Sequence, residues 1–133
     1  MKLSFKTFWA VALVLLISFS ACKKDDDKKS EPMTCDLETM AKKFDEESLV
    51  VTYKLENTGD AKVTSFFYYD ESGKVEVQNP SLPYEIRVTL TNQKSMQTGA
   101  VGSVTNGSIE VSFESKGQGY SYEGSDFCSR SSN

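Results

Sequence analysis

The feature that most limits the fold is a strict alternation of apolar and polar residues in several short segments. It is clearest in residues 84–90, where every second residue is apolar, and it recurs in 49–55 and 109–113. Alternation with a period of two places the apolar residues on one face of a β-strand. Turn sequences such as 70–73 and Asn106-Gly107 separate these segments. The pattern predicts an all-β fold, a small antiparallel β-sandwich of immunoglobulin-like type with about six to eight strands. Before the first alternating segment, residues 40–44 could form one or two helical turns, with Thr34 or Asp36 as the cap.

The first 22 residues have the organisation of a secretory signal. Lys2 and Lys6 precede an apolar run that begins at Phe8, and small residues follow that run. The run is about 13 residues long, which is short for a helix that must cross a hydrocarbon core of about 30 Å. We therefore expect residues 1–21 to be a signal peptide, with an uncleaved transmembrane anchor as the alternative.

Residues 19–22, Phe-Ser-Ala-Cys, resemble the lipobox of bacterial lipoproteins, although Phe19 stands where leucine is more usual. Lipoproteins of this kind are cut before the cysteine, whose sulfur and new amino group then receive lipid. The resemblance implies lipidation of Cys22, because a thiol can be alkylated to a stable thioether. Several acyl chains on one residue anchor a protein durably, whereas a single chain binds marginally.

Residues 23–29, Lys-Lys-Asp-Asp-Asp-Lys-Lys, cannot form a packed core, so 22–34 is expected to be a lipidated cysteine followed by a flexible tether. A cysteine followed by lysine and an acidic run also resembles the surface-export signal of Bacteroidetes-type lipoproteins. That resemblance implies the outer face of the outer membrane. We predict no metal site at Asp25, Asp26 and Asp27, because adjacent carboxylates on a flexible chain lack fixed ligand geometry.

The composition argues against nucleic-acid binding and against most catalysis. The chain of 133 residues has a formal charge of −4 and no histidine, the usual acid–base group near neutral pH. Residues 119–123 approach a nucleophile elbow but lack its closing glycine. Asp70, Glu71, Glu110 and Glu114 are interpreted as solvated carboxylates. We therefore expect a non-catalytic protein without a cofactor, and a hydrolase is the least favoured function. Residues 35–133 are expected to form one sandwich domain.

Two cysteines remain if Cys22 carries lipid. Cys35 and Cys128 lie near the two ends of the sandwich segment, and exported proteins favour disulfides. We predict that they form one bridge, which would stabilise the fold by up to about 4–5 kcal/mol. Two free thiols are the alternative.

Four consecutive aromatic residues, Phe66, Phe67, Tyr68 and Tyr69, form the candidate binding face. Alternation predicts that two of them enter the core and two point outward. Exposed aromatic side chains on a sheet are a plausible contact surface for a protein or a sugar. The alternative is that Tyr120 or Tyr122 covers the outer two.

Five motifs follow one another between residues 51 and 128: Val-Thr-Tyr at 51–53, the hairpin at 68–75, Ser-Leu-Pro-Tyr at 81–84, the late strand at 107–113 and Cys128. In this order they resemble the mycobacterial membrane protein small (MmpS) family. Two features differ. The family is held by a transmembrane helix, and its other cysteine falls near Ser108 or Ile109. The resemblance implies that any disulfide here uses Cys35, and that the protein assists a resistance-nodulation-division type transporter.

Together these observations predict a lipid-anchored envelope lipoprotein that serves as an accessory module of a transport assembly. The membrane, through the anchor, and an envelope transport protein are the expected partners. The alternative is a surface-displayed module that binds or inhibits a sugar, a peptide or a host protein.

Overall fold

The computed structural model describes residues 30–91 and 94–131, so the predictions for Cys22 and for the segments that end at residue 29 fall outside it. Within the described ranges the chain is all-β. Its strands in chain order are β1 Met33–Glu38, β2 Lys42–Lys43, β3 Ser48–Gly59, β4 Lys62–Asp70, β5 Gly73–Gln78, β6 Tyr84–Thr91, β7 Ser95–Met96, β8 Thr98–Val104, β9 Gly107–Gly117 and β10 Tyr120–Arg130.

Eight of these strands form two antiparallel four-stranded sheets. Sheet I has the order β1-β8-β4-β5, sheet II has the order β10-β9-β3-β6, and β2 pairs with β7 in a separate ladder. The inward side chains of the two sheets pack against each other in one core. The predicted antiparallel β-sandwich is confirmed.

The central pairings agree with those of an immunoglobulin sandwich when the short β2 and β7 are set aside. When the remaining strands are lettered from A in chain order, the pair β3–β6 corresponds to the immunoglobulin pair B–E, and β4–β8 corresponds to C–F. However, β1 joins sheet I and β9 joins sheet II, each on the sheet opposite to that of immunoglobulin strands A and G. The terminal strands therefore depart from the immunoglobulin arrangement.

The alternation in the sequence reappears as the two faces of each strand. In β3, Leu49, Val51, Tyr53 and Leu55 are buried, and the residues between them lie toward solvent or only partly covered. Tyr53 is the largest fully buried side chain, and its ring centroid lies 5.6 Å from that of Tyr68 on the opposite sheet. Aromatic and aliphatic side chains from both sheets thus form one continuous layer.

One local prediction was wrong. Residues 40–44 suggested one or two helical turns, with Thr34 or Asp36 as the cap. Instead, Lys42 and Lys43 form β2. The preceding Thr39 is buried, and its hydroxyl accepts the Thr98 N–H at 3.0 Å. This contact and the pairing with β7 hold the segment extended, so its backbone groups are not available for helical bonds.

The sandwich also begins slightly earlier than the boundary at residue 35 that the sequence suggested. Met33 and Thr34 belong to β1, where they pair with Val104 and Ser103 of β8. A strand that completes a sheet gains ladder hydrogen bonds, which explains why two residues of the expected tether join the fold. In the described ranges no helix is long and apolar enough to span a bilayer.

Cys35 and Cys128 are joined by a disulfide, as predicted. Cys35 lies on β1 at the edge of sheet I, and Cys128 lies on β10 at the edge of sheet II. Two polar contacts reinforce the same side of the sandwich: the Glu38 N–H donates to Asp126 Oδ2 at 3.0 Å, and Arg130 Nη1 donates to the Glu31 carbonyl at 2.6 Å. One side of the sandwich is therefore closed covalently.

We expect the double substitution Cys35→Ala, Cys128→Ala to lower the free energy of unfolding by about 2–5 kcal/mol, because the bridge closes a long loop in the unfolded chain. Urea denaturation of the full chain in detergent, followed by near-ultraviolet circular dichroism, measures this change. A reducing agent should destabilise the wild type by a similar amount and leave the double variant unaffected. Equal stability of the oxidised wild type and the variant would contradict the prediction.

Candidate functional site

Strand β4 divides the four consecutive aromatic residues between the two faces of sheet I. Phe66 and Tyr68 are 1% and 7% exposed and belong to the core. Phe67 and Tyr69 lie on the outer face and are half-buried. We call Phe67 and Tyr69 the aromatic pair.

The inward residues of β4 do not follow a simple alternation along its whole length. Val63 and Phe66 are both buried although an odd number of positions separates them, because the pairing with β8 shifts between Val63 and Ser65. A bulge of this kind inserts one residue and resets which side chains point outward. It is this reset that places Phe67 and Tyr69 on the outer face.

The aromatic pair lies close to the sheet surface. The two ring centroids are 6.2 Å apart with an interplanar angle of 85°, an edge-to-face contact. Phe67 lies over Gly99 of β8, where an added Cβ would come within 2.4 Å of the ring. Lys74 Nζ lies 4.0 Å from the Phe67 ring centroid, a cation–π contact. A residue with a side chain at position 99 would displace the ring.

Charged and polar residues border the aromatic pair. Glu76 is opposite Phe67 on β5, and Glu38 occupies the same row on β1. Gln78 Nε2 donates to Glu76 Oε1 at 2.6 Å. Val101 extends the apolar area in the next row and is 39% exposed. An apolar centre with a charged border is the usual organisation of a protein-contact surface.

Tyr120 and Tyr122 do not cover the aromatic pair. Both lie on β10 of sheet II and pack against the core, with their ring centroids 5.8 Å apart. The Tyr122 hydroxyl donates to Glu46 Oε2 at 2.9 Å, and this bond raises the pKa of Tyr122. The outer face of sheet I therefore leaves the aromatic pair partly accessible among the described residues.

Sheet II carries a second feature, a polar depression of about 350 Å³ on its outer face, which the sequence interpretation missed. Glu114 on β9 and Glu123 on β10 are direct register partners there, and Ser112 is opposite Ser125. The Gly117–Gly119 turn was a usable signal, because a tight turn between β9 and β10 fixes which residues face each other.

Glu114, Asp70 and Glu71 do not have the environment of a general acid. Lys116 Nζ lies 2.8 Å from Glu114 Oε2, and this hydrogen bond lowers the pKa of Glu114, whereas a general acid near neutral pH needs a raised pKa. Asp70 accepts the Ser72 N–H at 2.7 Å, and Glu71 accepts the Thr91 N–H at 2.9 Å. In the described ranges no three potential ligands cluster to hold a metal ion.

No protein-family model matches the chain, and no curated protein and no solved structure was found to be similar to it. The resemblance to the MmpS family therefore rests on the sequence motifs alone.

The two faces of β4 give a direct test of which aromatic side chains are available for binding. We expect Phe66→Ala to lower the free energy of unfolding by about 3–5 kcal/mol, because it leaves a cavity in the core. Phe67→Ala, the matched control on the same strand, should cost less than half as much. Chemical denaturation measures both values. Equal losses would show that Phe67 is a core residue.

Proposed function

We propose that this protein is a non-catalytic, lipid-anchored module of the bacterial cell envelope that binds a protein partner through the outer face of sheet I. The observation that carries the proposal is the aromatic pair, which stays partly exposed on a sheet face otherwise bordered by charged residues. Aromatic side chains at the centre of such a surface contribute most of the binding energy in many protein interfaces.

The geometry of the pair favours a protein partner. Phe67 is fixed by Gly99 beneath it and by Lys74 beside it, so little side-chain entropy is lost when a partner covers the ring. Val101 and Tyr69 enlarge the apolar centre, and the surrounding carboxylates supply a polar border. The partner we favour is a component of an envelope transport assembly, as the family resemblance implies.

The disulfide, together with the lipid anchor that the sequence predicts, supports an envelope location. Disulfides persist in oxidising compartments, and the bridge between Cys35 and Cys128 fits an exported protein. If the residues between Cys22 and β1 form the tether that the sequence predicts, about ten of them would span roughly 17 Å, enough for the sandwich to clear the lipid headgroups. We propose the outer membrane, with the sandwich facing the cell exterior.

A second candidate function is display of a ligand-binding or inhibitory surface for a sugar, a peptide or a host protein. One observation favours a sugar in particular. The hydrogen-bonded Gln78 and Glu76 lie beside Phe67 and combine a flat apolar ring with donors and acceptors suited to hydroxyl groups.

Lipid anchoring is tested by Cys22→Ser. We expect this variant to lose labelling by radioactive palmitate and to leave the membrane fraction, because no thiol remains to be acylated at the cleavage site. Cys35→Ala, Cys128→Ala serves as the control and should keep full labelling. Retention of label in Cys22→Ser would contradict the lipoprotein assignment.

Partner binding is tested by a photoreactive amino acid at Val101 in intact cells. We expect irradiation to yield a specific protein adduct, identified by mass spectrometry, and the pair of substitutions Phe67→Ser, Tyr69→Ser to reduce its yield at least about tenfold. The same probe at Glu56, exposed on the outer face of sheet II, is the positional control.

An adduct at both positions, or one that survives loss of the aromatic pair, would show that this surface is not the binding site. Absence of any protein adduct at Val101 would contradict the protein partner and favour the sugar candidate. That candidate predicts glycan binding by the wild type and none by the variant that lacks the aromatic pair.

A further inference from the structure

The sheet edges on the two sides of the sandwich differ in how they are joined. On the side of β1 and β10 the disulfide and the Glu38–Asp126 contact join the sheet edges. On the opposite side β5 and β6 are also edge strands, and in the described ranges no strand pairs with the free edge of β6. The inward residues of β6 reflect this, since Tyr84, Ile86 and Val88 are only partly buried.

Hydrogen bonds at one end of β6 show which of its backbone groups point away from β3. The Thr91 N–H donates to Glu71, a residue of the β4–β5 turn, and so points to the free edge. In an antiparallel strand the direction of the N–H and C=O groups alternates, so those of Glu85, Arg87 and Thr89 point to the same edge. This edge therefore presents unpaired backbone groups along most of its length.

Strand β6 lacks most of the devices that discourage strand addition, and the exposed charges that it does carry, Glu85 and Arg87, are of opposite sign. Its register with β3 is continuous from Tyr84 to Thr91, without a bulge, and the strand contains no proline. Its inward positions carry no charge, and Glu71 covers only the end at Thr91. A regular edge with an apolar inner row is a template for another strand.

We propose that the β6 edges of two copies of this protein pair antiparallel about a two-fold axis at Ile86, forming a homodimer with a continuous eight-stranded sheet. In this register Glu85 of each copy is opposite Arg87 of the other, and the two residues exchange backbone hydrogen bonds. Four such bonds and two ion pairs across the axis result, because the axis generates each contact twice. These ion pairs add to the contacts that Glu85 makes within its own chain, at 3.8 Å to Lys54 and 3.9 Å to Arg87.

Other two-fold registers of the β6 pair are possible, and the charges and side-chain shapes favour the one with its axis at Ile86. An axis at Glu85 or at Arg87 would place like charges directly opposite each other, which destabilises a strand pair. An axis at Val88 would place Arg87 opposite the uncharged Thr89 and Glu85 opposite Thr91, whose N–H Glu71 already occupies. With the axis at Ile86, Tyr84 faces Val88 on the inner side, an aromatic and β-branched pair that favours sheet formation.

The dimer goes beyond the proposed function but is compatible with it. The two-fold axis is perpendicular to sheet II, so both copies of sheet I face the same side and both aromatic pairs are presented together. The β1 edges, where the tethers enter, lie at the two far ends of the assembly. Two linked copies of one binding surface can bind a repetitive or dimeric partner far more tightly than one copy does.

The test is sedimentation equilibrium of the full chain in a density-matched detergent, with a charge swap as the decisive comparison. We expect the wild type to reach a dimer mass. Glu85→Arg alone and Arg87→Glu alone should each raise the dissociation constant about tenfold or more, because each replaces two attractive pairs by two repulsive ones. The double variant Glu85→Arg, Arg87→Glu should restore the dimer.

Each alternative result has a defined meaning. A wild type that stays monomeric at all accessible concentrations overturns the proposal, and so does a dimer that both single variants retain. Failure of the double variant to recover overturns the register at Ile86, provided that its near-ultraviolet circular dichroism matches that of the wild type. The readout does not depend on the aromatic pair, so the dimer can fail while the proposed function stands.

Discussion

The layer of side chains between the two sheets is the constraint on which the rest of the structure depends. Tyr53 of sheet II lies within 5.6 Å of Tyr68 of sheet I and 6.4 Å of Phe113, measured between ring centroids. The Tyr53 hydroxyl is buried without a hydrogen-bond partner among the described residues, and burial raises the pKa of Tyr53. The ring is therefore retained despite a desolvation cost, which indicates that its packing dominates.

Much of the fold could be predicted from the alternation alone. The sequences of β3, β6 and β9 each place their apolar residues on one face, and the structure buries the faces of β3 and β9 and partly buries that of β6. The local sequence pattern gave a wrong prediction where contacts with residues distant in sequence determine the backbone conformation. Residues 40–44 have helix-forming composition, but Thr39 and β7 hold them extended, and nothing near them in sequence reveals this.

The candidate site was predictable only in part, for a similar reason. Alternation separates Phe66 and Tyr68 from Phe67 and Tyr69, and the bulge between Val63 and Ser65 leaves that separation intact. The position of Gly99 under Phe67 depends on the pairing of β4 with β8, strands about 30 residues apart in the chain. The depression on sheet II likewise depends on the register between β9 and β10, which the alternation within either strand leaves open and only the turn at Gly117–Gly119 indicates.

The position of the disulfide has a mechanical consequence for a domain held by its N-terminus. A pulling force applied through the residues before β1 would reach that strand at Met33, and a strand pulled from one end is ordinarily peeled away one ladder bond at a time. Here peeling can free only Met33 and Thr34, because Cys35 is bonded covalently to β10. Beyond that point the load is shared between the edge strands of two different sheets. If the protein is anchored and bound as we propose, this corner can transmit force between the membrane and the partner while the core stays intact.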